Sequence, residues 1–474
     1  MDKLFINQYL QNQLSRAPSL LKTYAQDERG SVYLKRDLFF KLEKLIDDFV
    51  CGEKEIRMVS IPGLRGVGKT TLLAQLFLQL YPRYPKDMLF ISADQIVNEL
   101  GTDLYFIFEE YQNILGVPFE KLGRNVFLFI DEIQFDKKWA AALKSLYDRS
   151  KKVFVVCTGS SALSLQSTTD LTRRVVFETL YPMSFSEYMR LKKRHGSAEN
   201  LKEAIKQALF YSISADQCFF RLAERKSQVN TYWLGIDRFE VDKYLRFGTM
   251  PYALTIQDEV RIHTLTNQQI DRVVERDVPE LGKFDTTTLA MVKNILLLVA
   301  GSGEVSVTSL SRTLRGISLV TLINVLETLE RAEMLIRVYP YGSTYKKVRK
   351  PSKYYFMTPA VRHTLLTLVE GDSAFVNHKG WYLEDIVSLS LYREFSRKLA
   401  SPAFYDAARG GADFIVRFPK NTIAIEVGYG TKGEKQALAT LQKIKGTYGL
   451  VISQEGLAIN GNVVKVPLQY FLLI

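Results

Sequence analysis

Residues 61–71 read IPGLRGVGKTT, and this stretch limits what the chain can fold into more than any other. Gly63, four residues, then Gly68-Lys69-Thr70 gives G-x-x-x-x-G-K-T. An apolar run, RMVSI, precedes it, and a Leu-rich stretch of helix length, TLLAQLFLQLY, follows. Strand, glycine loop and helix in that order form a phosphate cradle. The backbone N–H groups of residues 66–70 (Gly66, Val67, Gly68, Lys69, Thr70) would point at a phosphate at the positive end of a helix. Arg65 and Thr71 flank that turn. Lys69 is expected at the β/γ oxygens, and Thr70 at a Mg²⁺ ion. ATP or ADP with Mg²⁺ is the ligand this pattern implies.

Further along, DMLFISAD predicts a second short strand, and RNVFLFIDEIQ runs an apolar strand into Asp131-Glu132. A carboxylate at the end of a buried strand beside a P-loop orients Mg²⁺, which is the expectation for Asp131. Glu132 is placed for the general-base role on the attacking water. The next strand, VFVVCTGSS, ends in small hydroxyl residues, and Thr158, Ser160 or Ser161 is expected to sense the γ-phosphate. Arg173 and Arg174 precede a fifth strand. One of them is a candidate arginine finger, in cis or from a neighbouring subunit.

These segments carry a family resemblance. VYLKRDLFFKLEKL, GLRGVGKTTLL, LFIDEIQFDKKW, CTGSSAL and RRVVFETLYPMSFSEYM occur in an order and at spacings similar to those of the archaeal and bacterial AAA-type P-loop ATPases related to the STAND group. The resemblance implies an α/β ATPase core with an additional strand between the P-loop strand and the Asp131 strand. It matches Arg36 to an arginine near the adenine, with Lys35 where glycine is usual. It also matches Arg174 to the arginine before LYPMSF, and Asp131, Glu132, Gln134 and Trp139 to DEIQ…W. The tail VKVPLQYFLLI resembles the end of a restriction-endonuclease-like domain that many of these ATPases carry.

The whole chain of 474 residues fits roughly three domains. Its three cysteines have no metal-ligand spacing, the first residues lack a signal-peptide core, and no apolar run spans a bilayer, so a cytoplasmic protein without membrane contact is expected. A net charge of +12 is compatible with nucleic acid.

Residues 187–284 read as mostly helical, and the resemblance makes them a lid that moves with nucleotide state. Residues 285–366 read as helix, turn, amphipathic helix and hairpin, hence a winged helix. Its arm, RVYPYGSTYKKVRKPSK, has six basic residues and no acidic one. Lys346, Lys347, Arg349 and Lys350, together with Arg337 and Lys353, are expected along a double-stranded DNA backbone. A protein contact is the other reading.

In residues 367–474 the acids Glu384, Asp413 and Glu426 resemble the metal-binding acids of a restriction-endonuclease-like fold. The lysine usual two residues after the second acid is replaced by Gly428. Lys432 and Lys435 follow, either as a relocated lysine or beyond a turn that points them elsewhere. The expectation is a vestigial site in a fold kept for binding or assembly.

The sequence thus predicts an N-terminal helical segment (1–30), a P-loop core (31–186), a helical lid, a winged helix and a nuclease-like domain. It predicts a slow ATPase acting as a switch on DNA, a protein partner or a homo-oligomer. An ATP-dependent DNA nuclease and a nucleotide-gated DNA-binding module with negligible turnover are the alternatives.

Overall fold

The computed structural model describes residues 3–53, 55–159, 173–196, 199–303, 307–314, 316–342, 351–396, 398–399 and 401–474. They divide into two compact units, Met1–Tyr181 and Pro182–Ile474.

The first unit is built on a five-stranded sheet of β1 (Met58–Pro62), β2 (Met88–Ser92), β3 (Val126–Asp131), β4 (Val153–Gly159) and β5 (Val176–Phe177). The order is β2-β3-β4-β1-β5 and every pairing is parallel. β1, β3 and β4 are buried along their whole length, as apolar strands covered by helices on both faces must be. β4 lies between β1 and β3, the inserted strand that the resemblance implies. The helices α1 (Lys3–Ala25), α2 (Asp37–Cys51), α3 (Lys69–Leu80) and α4 (Trp139–Arg149) belong to this unit. Ile6 and Leu10 of α1 and Leu143 and Leu146 of α4 join Leu89, Leu128 and Val155 in its core.

The second unit opens with helices over the segment expected as a lid, including Phe185–Lys193, Glu199–Phe210, Ala215–Glu224 and Glu259–Arg272. Glu199–Phe210 packs on the C-terminal elements: Tyr448 Oη donates to Leu209 O at 2.7 Å, and Lys206 pairs with Glu394 at 2.6 Å. Next come α5 (Thr286–Ala300), α6 (Val307–Thr313), α7 (Leu319–Arg331), and the antiparallel hairpin β6 (Leu335–Pro340) and β7 (Lys353–Phe356). Then follow α8 (Pro359–Glu370), α9 (Ser373–Phe395, broken at His378), β8 (Phe404–Tyr405), β9 (Phe414–Arg417), β10 (Thr422–Val427), α10 (Lys435–Ile444), β11 (Tyr448–Ser453), β12 (Ala458–Asn460) and β13 (Val463–Pro467).

One eight-stranded sheet, β12-β13-β11-β10-β9-β8-β6-β7, runs through this unit. β6 pairs in parallel with β8 through Tyr339–Phe404 and Pro340–Tyr405. The hairpin expected to close a separate winged helix therefore continues the C-terminal sheet across the expected 366/367 boundary. A buried ion pair fixes it there. Arg362 of α8 holds Asp385 of α9 at 2.6 and 2.9 Å, and Asp385 accepts from Phe356 N of β7 at 2.9 Å. Satisfying all these groups internally offsets the cost of burying two charges, and it sets β7 against α9. Among the described residues, no helix is long and apolar enough to cross a membrane.

Candidate functional site

The P-loop leaves β1 at Pro62 and enters α3 at Lys69. Gly68 has φ 93°, a conformation that suits glycine and turns the loop's N–H groups toward the helix start. Gly63 is needed for another reason: a Cβ there would lie 2.4 Å from Leu180 O. The Lys69 ammonium, on a buried side chain, donates to Gly63 O at 2.7 Å and Leu64 O at 3.2 Å. Arg65 and Thr71 sit half-buried on either side.

Thr70 and Asp131 meet, although they are far apart in sequence: Thr70 Oγ1 donates to Asp131 Oδ2 at 2.8 Å. β4, placed beside β3, brings Thr158 to the same carboxylate. Thr158 Oγ1 donates to Asp131 Oδ1 and accepts from Glu132 N at 3.1 Å. Burial pushes the Asp131 carboxyl up. The Thr158 hydrogen bond opposes this and the Glu132 charge adds to it, while the Thr70 hydrogen bond and the Lys69 charge pull it back down. Glu132 sits at φ 52°, left-handed for a residue with a side chain, and Gln134 Nε2 donates to its Oε2 at 2.5 Å. Strain of this kind persists only where the surroundings enforce it, and here the Thr158 bond to its N–H helps do so. A hydroxyl and a carboxylate 2.8 Å apart beside a cradle of N–H groups form an oxygen donor set suited to Mg²⁺.

Two arginines complete the expected residues of this unit. Arg36 stands just before α2, without a side-chain capping bond, and is buried. It donates to Val67 O and Tyr181 O, both at 2.8 Å, and so ties the P-loop backbone to the segment after β5. Arg174 precedes β5, which runs parallel to β1 with Val176 opposite Val59. It therefore lies near the end of the sheet where β1 begins, whereas the P-loop leaves the opposite end of β1, about 15 Å away for a strand of this length. There it pairs with Asp148 of α4 at 3.2 Å. That pairing, with the Tyr147 ring 5.7 Å from its guanidinium, holds Arg174 near the start of β1. Ser160 and Ser161 lie outside the described residues.

In the second unit the three acids come from α9 (Glu384), the entry to β9 (Asp413) and the end of β10 (Glu426). Asp413 Oδ2 accepts from Val427 N at 3.0 Å. Burial, then the Asp413 charge, pushes Glu384 up to about 8, and the same two causes push Glu426 up to about 7. The turn after Gly428 does not point Lys432 elsewhere. Its ammonium lies 2.8 Å from Glu426 Oε1. Its stem covers Gly428, where a Cβ would meet Lys432 Cδ at 2.8 Å. The glycine that breaks the motif is what lets the displaced lysine fold back.

The basic arm also differs from expectation. Arg337 pairs with Glu327 of α7 at 3.2 Å and lies over the Tyr339 ring, and Lys353 is buried with its ammonium 3.6 Å from Asp413 Oδ1. Both turn inward. Lys346, Lys347, Arg349 and Lys350 lie outside the described residues. Nothing local in the sequence marks Lys353 as part of the acid cluster, because it reads as one more cation of the arm. The Thr158 contact was closer to legible, since small hydroxyl residues end a strand predicted to lie beside β3.

Comparison with known proteins fits the first unit. A family model described as "AAA domain" matches residues 55–189, and a domain of unknown function, DUF8612, matches residues 238–372. The chain is 34% identical to the uncharacterized protein MJ1637 of Methanocaldococcus jannaschii over 99% of this chain and 94% of that one. It is 22% identical to MJ1544 of the same organism, over 78% and 74% of the two chains. Among solved structures, the Walker-type ATPase PABY2304 of Pyrococcus abyssi aligns with a TM-score of 0.41 at 15% identity, covering 73% of this chain and 99% of that one. The chain belongs to the family of MJ1637, with an AAA-type P-loop ATPase fold in its N-terminal unit.

Proposed function

We propose that the protein is an ATP-hydrolysing switch whose nucleotide state is passed to the helical and C-terminal parts of the chain, with DNA or a protein partner as the regulated output. The observation that carries this is the linkage of Thr70, Asp131, Thr158 and Glu132 through hydrogen bonds at the mouth of the P-loop. Thr70 and Asp131 are the residues that would hold Mg²⁺, which when bound neutralises phosphate charge. The N–H groups at the start of α3 bind and orient the phosphates, and Lys69 places its ammonium on them. Glu132, held by Thr158 and Gln134, takes the proton of the attacking water. The test is ATP turnover with and without double-stranded DNA, with DNA integrity followed in the same tubes. Turnover that Glu132→Gln abolishes supports the switch. Tight ATP binding without turnover leaves the nucleotide-gated DNA-binding module.

A second reading, an ATP-dependent DNA nuclease, is favoured by one observation: Lys432 brings to Glu426 the ammonium that Gly428 cannot supply. Such a group would stabilise charge developing on a phosphodiester.

A further inference from the structure

Lys353 ties the hairpin to the acid cluster. It is the first residue of β7, the strand at the sheet edge, and its buried side chain reaches Asp413 with the ammonium 3.6 Å from Oδ1. The ring of Tyr405 lies 5.2 Å from the same ammonium. Around it sit Glu384, Asp413 and Glu426, balanced by Lys353 and Lys432, with Arg362 committed to Asp385.

Two polar groups of this cluster lack the partners that burial demands. Glu426 is fully buried; the Lys432 ammonium holds its Oε1 at 2.8 Å, and its Oε2 makes no hydrogen bond. The Tyr355 hydroxyl, also buried, has none, and burial first, then the Glu384 and Asp413 charges, pushes its phenol up. Buried carboxylate oxygens left this way are costly unless a cation or water completes them. Among the described residues no three His, Cys, Asp or Glu side chains converge as a metal-ligand set. The carboxylates are held by ammonium groups instead.

We propose that Lys353 is a built-in counter-ion that occupies the cation position at Asp413, so the Glu384–Asp413–Glu426 cluster takes a divalent cation only when Lys353 is withdrawn. The proposal rests on the second reading above in assuming that the cluster can hold a metal at all. The logic is electrostatic. A divalent ion entering beside a lysine already 3.6 Å from its carboxylate meets like charge in a site with little solvent to screen it. Lys353 belongs to the hairpin whose arm carries the remaining basic residues, so whatever displaces that strand also opens the site.

The experiment titrates Mn²⁺ alone into the nucleotide-free full-length chain, followed by electron paramagnetic resonance. An Asp131→Asn background removes any P-loop contribution. Lys353→Met should bind at least ~10-fold more tightly than the parent, the scale expected when a buried like charge is removed. Lys353→Arg should stay as weak as the parent, and Lys353→Met with Asp413→Asn should lose the gain. Equal affinity in the parent and Lys353→Met, lost in Glu426→Gln, overturns the proposal while leaving the metal reading in place. No binding in either variant removes both. Should Lys353→Met be unfolded, refolding on addition of Mn²⁺ supports the proposal, and failure to refold overturns it.

Discussion

Thr158 and Asp131, on adjacent parallel strands, are joined by a hydrogen bond from hydroxyl to carboxylate, and the same hydroxyl accepts the N–H of Glu132 at 3.1 Å. One side chain thus sets the direction of both acidic residues. Thr158→Val keeps the shape and removes both bonds. ATP affinity should change little, while kcat should fall on the order of 100-fold, the cost of misplacing a catalytic group by about 1 Å. Glu132→Gln, the companion variant, should bind ATP and turn over at least ~100-fold more slowly. A Thr158→Val enzyme with parental kcat would show that Thr158 does not position the pair.

Gly63 faces a backbone oxygen, not a flexible side chain. Leu180 N donates to Pro62 O at 2.9 Å, which fixes Leu180 O where a Cβ at 63 would come within 2.4 Å. Gly63→Ala must therefore displace the loop or strip the 178–181 segment from β1. We expect a loss of about 1–3 kcal/mol in a urea titration, the usual cost of overpacking, together with weaker ATP binding. Gly123→Ala, with no atom within 4 Å of the added methyl, is the control and should be neutral. Parental stability and ATP affinity in Gly63→Ala would contradict the contact.

The acid cluster predicts a pH dependence of stability. Glu384 is raised to about 8 and Glu426 to about 7 from an ordinary 4.5, chiefly by burial. The folded chain thus keeps protons that the unfolded chain has released. The stability these groups contribute is full below about pH 4.5 and is lost as pH rises through 7 to 8. Each group contributes a slope of at most about 1.4 kcal/mol per pH unit. Burial lowers His363 to about 3, which acts in the opposite direction at acid pH, so the comparison belongs between pH 6.5 and 9. Glu384→Gln combined with Glu426→Gln should flatten the fall in urea midpoint across that range. An unchanged slope would mean that the acids are not buried together as described.

The P-loop and the Asp131-Glu132 strand end were legible because each is written locally, whereas the strand inserted between β1 and β3 came only from the family resemblance. Glycine spacing, unbroken apolar runs and strand-end carboxylates are patterns within a dozen residues. The contacts of Arg36 with Val67 and Tyr181 span 31 and 145 residues, and no local pattern encodes them. Two cations of the arm, Arg337 and Lys353, were misplaced for a related reason. Net charge along RVYPYGSTYKKVRKPSK does not tell which cations face inward, and that depends on β6 pairing with β8 through residues 65 positions apart. Arg174 was legible as a motif residue, but its placement follows from the direction of β5, which a two-residue strand hardly reveals.

DNA cleavage decides how the second unit is used. Lys432 supplies the ammonium that the missing motif lysine would have brought, which by itself favours chemistry at Glu426. Against that, Lys353 already neutralises Asp413, and both lysines are drawn to the carboxylates by the burial that would otherwise leave them uncompensated. A carboxylate held by ammonium groups is a poor site for a divalent ion. The expected outcome is that the wild-type chain leaves supercoiled plasmid and linear DNA intact in Mg²⁺ or Mn²⁺, with or without ATP, and that Asp413→Ala keeps the parental ATPase rate. The measurement is an agarose-gel time course run beside a phosphate-release assay. Nicking by the wild type that disappears in both Asp413→Ala and Lys432→Ala would reverse the assignment and make the nuclease reading the primary one.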